Sequence, residues 1–196
     1  MLSDMESKNS APQYLSNHFL IAMPQLDDDN FTHSVTYICE HNQEGAMGVT
    51  INRPSDILLQ DILEQIHIDA LTADIGHKTI YQGGPVQTDR GFILHNKTEQ
   101  HWEASLDITD KLQLTSSKDI LQAIAKDEGP DNSLITLGYA GWGSGQLEQE
   151  IADNFWLSCP ASTDIIFNTP IDKRWESAAS LLGIDLQLLS NDAGHA

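Results

Sequence analysis

Two hydrophobic periods run through the chain, one near two residues and one near 3.6, and they divide it into strands and helices. After a polar, aperiodic stretch over residues 1–15, "HFLIAMP" reads as a buried strand stopped by Pro24. "LDDDN" is a loop, and "FTHSVTYICEH" is rich in β-branched and aromatic residues, so a longer strand is expected there. In "GAMGVTINRP" the glycines and Asn52-Arg53-Pro54 bracket a short strand, "VTI". Ser55 is placed to cap a helix over "DILLQDILEQI", where Leu58, Ile62 and Ile66 stack at i, i+4 spacing and Leu59 with Leu63 widens the stripe. "KTIYQ" then runs as a strand into "GGPV", a turn, and "GFILH" returns beside it as a hairpin. "SLDITDKLQLT" supplies one or two more strands. Ser117 caps a second helix, "KDILQAIAKDEG", with Ile120, Leu121, Ile124 and Ala125 inward. "SLITLGY" is nearly continuously apolar, as expected of a strand buried on both faces. A Gly-rich loop leads to a short helix from about Gln146, and "WLSCPA" is extended. Thr169 and Pro170 open a last helix whose stripe is Ile171, Trp175, Ala178, Ala179 and Leu182, with Gly183 as its stop. Hairpin-like groups of strands beside four helices favour an α+β fold over a doubly wound sheet.

Length allows one domain able to bury roughly 70% of its apolar surface. The expected organisation is a tail over 1–15 and a single domain over 16–196, with no linker or repeat between. Charge changes the picture more than size does. Ten Lys plus Arg stand against 29 Asp plus Glu, a net charge of −19. Nucleic-acid affinity comes from cations that neutralise phosphates, and the densest basic run here is Lys173-Arg174. Direct contact with DNA or an anionic membrane is therefore disfavoured. The N-terminus has neither a basic nor an apolar signal region, and the early apolar run "FLIAM" is far short of the ~20 residues that span a bilayer. A cytoplasmic location is expected, with Cys39 and Cys159 reduced and buried.

The stretch "GYAGWGSGQLEQEI" over 138–151 invites three sharp readings, and each meets a missing residue. A phosphate loop needs Lys after its second glycine, but Gly143 is followed by Ser144. A dinucleotide fingerprint on Gly141 and Gly143 would need glycine at 146, which is Gln146. A nucleophile elbow at Ser144 would need glycine where Trp142 stands. What remains is a strand–turn–helix junction with Gly145 as N-cap and Glu148 reaching back as half a capping box.

"GYAGWGSGQLEQEI", "MGVTINRP" and "YQGGPVQTDRGFILH", followed by "NFWL" and "RWESAASLLGID", closely resemble the YqgE/AlgH family of uncharacterised bacterial proteins, in collinear order over roughly residues 15–185. The resemblance implies an α+β fold with a curved, barrel-like mixed β-sheet core and about four flanking helices. It carries the label of a transcriptional regulator but implies no catalytic activity. It also places Pro at position 144 in many relatives, which argues against Ser144 as a nucleophile.

Candidate chemistry gathers in three segments. The three arginines, Arg53, Arg90 and Arg174, fall inside motif stretches, where they could form a small anion pocket or tie loops to carboxylates. His33 and Cys39 share a strand face but lie about 20 Å apart at ~3.3 Å per residue, and Cys39 with His41 supplies only two ligands, so no metal or other cofactor is expected. His95 and Glu148 are the candidates for a general base in an enzymatic alternative, such as a hydrolase, against structural roles as a hydrogen-bonded His and a cap. Glu150 reads as solvated face, and Trp142, Trp156 and Trp175 as core. The expected function is a non-enzymatic binding or regulatory protein. Its single recognition face joins Arg53, Gly83, Gly84, Pro85, Arg90, Tyr139, Gly141, Trp142, Gly143 and Gln146, and it takes a protein partner or small anionic ligand. Any transcriptional effect would then be indirect.

Overall fold

The first departure from the periodic pattern begins at Pro54. In the computed structural model, which describes residues 13–186 and 188–189, residues Pro54–Leu58 form a strand where a helix start is expected. The Ser55 hydroxyl bonds the backbone N–H and carbonyl of Ile57 instead of capping a helix. The helix begins at Leu59, and the Asp61 carboxylate accepts from the Leu58 N–H at 2.7 Å.

In chain order the strands are β1 (His18–Ala22), β2 (Val35–Asn42), β3 (Gly45–Thr50), β4 (Pro54–Leu58), β5 (Thr79–Gln82), β6 (Val86–Asn96), β7 (Ser105–Asp107), β8 (Leu112–Thr115), β9 (Ser133–Gly143) and β10 (Trp156–Pro160). The helices are α1 (Leu59–Gln65), α2 (Ala73–Gly76), α3 (Lys118–Ala125), α4 (Gln146–Ala152), α5 (Thr163–Phe167) and α6 (Arg174–Ser180). Four of the six have seven or eight residues, and a 3-10 turn over Ile171–Lys173 leads into α6. Thr169 and Pro170 thus open the turn, not the helix proper, while Gly183 follows α6 at φ 69° as expected of a stop. The five-residue α5 has no counterpart in the sequence reading.

The sheet is mixed and curls into a half-barrel, with strand order β10-β1-β2-β3-β9-β6-β8-β7. A branch adds β4 beside β5, and β5 runs parallel to β9. The expected hairpin between "KTIYQ" and "GFILH" is therefore a correction: β9 lies between them, parallel to β5 and antiparallel to β6. Residue 133 onward inserts between two strands that adjoin in sequence, a choice that no local pattern records.

Burial on both faces explains the continuous apolar runs. Along β6, Phe92 and Leu94 enter one core with β1, β2, α5 and α6, while Ile93 enters another with α1, α2 and α3. Along β9, Leu134 and Ile135 divide the same way. Farther along, Ala140 and Trp142 join a third cluster with Leu147 of α4 and Trp156. The four expected inward residues of α3 are all buried. Cys39 and Cys159 are free and buried, and burial pushes both thiols up from their ordinary range. The expected tail falls mostly on residues 1–12, outside the described residues, but Leu15 is already buried.

Candidate functional site

The chain between β5 and β6 must pass from one side of β9 to the other, and it does so across the face of β9 rather than around its end. Gln82 pairs with Leu137 on one side, and Val86 pairs with Tyr139 on the other. Only residues without side chains fit at such a crossing. A Cβ on Gly84 would lie 2.2 Å from the Tyr139 carbonyl carbon, and one on Gly83 would lie 2.3 Å from the Gly138 carbonyl oxygen. From the other direction, a Cβ on Gly138 would meet the Gly84 carbonyl oxygen at 2.4 Å. Gly83 and Gly84 therefore have a packing role, with the Gly83 N–H bonded to the Leu137 carbonyl at 2.8 Å.

Two cavities adjoin this crossing. The first, about 220 Å³, is lined by Arg53, Gly84 and Pro85 together with Asn30, Ser55, Gln82, Thr88 and Leu137. Its guanidinium donates from Nη1 to the Asp29 carbonyl at 2.6 Å and from Nη2 to the Thr32 carbonyl at 3.5 Å. Neither acceptor is charged, and the lining holds no carboxylate. The second cavity, about 490 Å³, is lined by Val86, Tyr139, Gly141 and Trp142 with Gly45, Ala46, Met47, Asn42, Glu40 and Glu44. The expected single face is thus divided, with Pro85 facing one cavity and Val86 the other.

Arg90 lines neither cavity. It belongs to an exposed bulge, Gln87–Arg90, left unpaired where the β6–β9 register jumps from Val86 to Gly91. Gln87 takes φ 49° there, a conformation that costs of order 1 kcal/mol for a residue other than glycine. Arg90 donates to Gln87 Oε1 and to Ser116 Oγ and lies over the Phe92 ring at 5.4 Å. Arg174 is buried, donates to the carbonyls of Thr169 and Ile51, and stacks on Tyr81 at 5.3 Å. Among the described residues no arginine has a carboxylate partner, so the expected alternative of loop-fixing ion pairs gives way to backbone carbonyls, hydroxyls and rings.

The expected Gly-rich loop is another correction. Residues 139–143 continue β9, and 140–143 pair with β3, Ala46 opposite Trp142 and Met47 opposite Gly141, so only Ser144 and Gly145 turn. Gly145 is the N-cap at φ 74°, but Glu148 does not reach back to it. Its Oε1 instead meets His41 Nε2 at 3.0 Å. His41 Nδ1 accepts from the Leu15 N–H at 3.0 Å, so the ring proton lies on Nε2 and is given to Glu148. Glu150 is not plain solvated face either. One of its oxygens accepts from both Trp142 Nε1 and Trp156 Nε1 at 2.9 Å, and the other from Gln146 Nε2. Gln146 Oε1 in turn accepts from the Gly143 N–H. Sequence reasoning missed this junction, although the Gln146–Glu150 spacing and two flanking tryptophans were its signal. The His41–Glu148 pair, 107 positions apart, left none.

His95 is fully buried and lines none of the cavities described. Its Nδ1 donates to the Asn96 carbonyl, so Nε2 accepts from Thr115 Oγ1, both at 2.8 Å. Burial holds the imidazole below its ordinary range, partly offset by the Asn96 bond. Among the described residues no three His, Cys, Asp or Glu side chains gather as a metal set, and no helix is long and apolar enough to cross a membrane.

With this geometry in hand, the chain belongs to the AlgH-like family, whose model matches residues 19–187. It is 56% identical to a UPF0301 protein of Thioalkalivibrio sulfidiphilus over 95% of this chain and all of that one. It is 52% identical to the UPF0301 protein AlgH of Pseudomonas aeruginosa over 96% of this chain and all of that one. The solution structure of AlgH from P. aeruginosa is similar at TM-score 0.77, covering 96% of this chain and all of that chain. A Corynebacterium diphtheriae crystal structure, 18% identical at TM-score 0.70 over 92% and 94% of the two chains, shares the fold.

Proposed function

We propose that this AlgH-like chain works by binding and not by catalysis, and that the Arg53 cavity receives a small anionic group such as a carboxylate or phosphate. The observation that carries this reading is the cavity's lining: one guanidinium, the neutral hydrogen-bonding side chains of Asn30, Ser55, Gln82 and Thr88, and no carboxylate, in a chain of net charge −19. An anion entering there meets directional donors, with the carboxylates of the adjoining Asp27–Asp29 run outside the lining. The enzymatic alternative has less support. Its candidate base His95 is sealed from solvent, and Glu148 is engaged by His41. Any regulatory output passes through a protein partner, since so acidic a surface repels nucleic acid.

Calorimetry and thermal unfolding with inorganic phosphate and with succinate test the reading. Free ligand at about 100 times its Kd stabilises by ~2.7 kcal/mol. The expected result is stabilisation by at least one anion that is lost in Arg53→Ala and weakened in Arg53→Lys. No stabilisation by either anion, or equal stabilisation of Arg53→Ala, overturns it.

A further inference from the structure

The larger cavity has the opposite chemistry, and we propose that it is a second site, for an organic cation carrying an ammonium or guanidinium group. It lies on the outer stretch of β9, where Gly141 opposes Met47 of β3 and the absence of side chains leaves the strand surface open. Its volume of about 490 Å³ falls within the ~300–1,000 Å³ typical of small-molecule sites. Tyr139, Met47 and Val86 form the apolar walls, and Glu40 and Glu44 stand at the rim. Two carboxylates beside an aromatic ring, here Tyr139, are a combination that recognises an organic cation, by charge and by ring quadrupole together.

The walls are held in place before any ligand arrives. The Tyr139 ring packs against Phe92 at 5.4 Å, and on the opposite face of β9 the Trp142 bond to Glu150 anchors the strand that carries the wall. Asn42 orders the rim, donating to Glu40 Oε1 at 3.1 Å and accepting the Glu44 N–H at 2.8 Å. Among the described residues neither rim carboxylate has a Lys or Arg within ion-pair distance, and none lines the cavity. Preorganised walls reduce the ordering cost of binding. The Arg53 cavity has the reverse lining, a guanidinium and no carboxylate, so the two sites discriminate ligands by sign.

Two probes distinguish the sources of such a group: agmatine for a free diamine-like molecule, and the peptide Gly-Lys-Gly for a basic side chain of a partner. In backbone-resolved NMR of the full chain at about 0.15 M salt, where exposed charges are screened beyond ~8 Å, one of the probes shifts Gly45, Met47, Tyr139 and Gly141 saturably. Affinity falls at least about tenfold in the Glu40→Gln/Glu44→Gln variant and in Tyr139→Leu, and stays unchanged in Arg53→Ala. The Glu variant alters only exposed positions, so a folding failure of Tyr139→Leu leaves the test intact. The tighter probe assigns the source. Saturation by neither probe, equal affinity in the Glu variant, or shifts spread as strongly over Asp27–Asp29 as over the cavity overturns the proposal.

Discussion

Two glycine-rich stretches look alike in sequence and do different physical work. At Gly83-Gly84, chain crosses chain with backbone against backbone, and any side chain collides. At Gly141 and Gly143 the neighbours stand off: a Cβ on Gly143 would meet only the end of Gln146, at 3.9 Å, and one on Gly141 only the Tyr139 ring, at 3.4 Å or beyond, and a Val86 methyl at 3.9 Å. The first pair is a condition of the topology. The second leaves a surface open over the larger cavity, while order at that end of β9 comes from Trp142, Trp156 and Gln146 converging on Glu150.

Substitutions break or sharpen this contrast. Gly84→Ala, and likewise Gly138→Ala, is expected to destabilise by at least about 4 kcal/mol in urea unfolding, the range reserved for severe structural conflict. A loss below about 1 kcal/mol would mean that the crossing relaxes easily. Glu150→Ala leaves two indole N–H groups without their acceptor and is expected to cost about 3 kcal/mol, with a shift in tryptophan emission. Trp142 is part of the same junction and only 6% exposed, so its removal weakens the fold and does not isolate a binding role.

The strand that leaves the crossing carries a pH signature. His95 has a lowered folded pKa, so the unfolded chain takes up the extra proton. Its stabilising effect is complete above the unfolded value of about 6.5 and is lost as pH falls below it, until the folded pKa is passed. Stability measured from about pH 7.5 down to 5.5 should therefore decline less in His95→Gln than in the parent chain. Arg53→Ala removes two hydrogen bonds to carbonyls and should cost only about 1 kcal/mol while abolishing anion binding. Gly143→Ala should change stability by no more than about 0.5 kcal/mol, the smallest effect of the series.

Much of the fold was legible. β1 and its stop near Pro24, the amphipathic α3 and the Gly183 stop after α6 follow from local pattern, because each is decided by neighbours within a few residues. The start of α1 misled because Ser55 has the chemistry of a cap, yet Pro54–Leu58 is drawn into pairing with β5. α5 is too short to leave a period. For the candidate site, sequence reasoning joined all ten residues into one face, and the structure divides it: Arg53, Gly84 and Pro85 line one cavity, and Tyr139, Gly141 and Trp142 another. Gly83, Arg90, Gly143 and Gln146 line neither.

By itself the sequence determined which segments are apolar, where the chain bends, the strong negative charge and the family. Tertiary structure alone decided that β9 enters between β5 and β6, that the glycines of the crossing serve packing, and that cation and carboxylates part into separate cavities. The physical reason is range: hydrophobic period and turn chemistry act over a few residues, whereas strand partners, like His41 and Glu148, are chosen across a hundred or so positions by what the assembled core can bury.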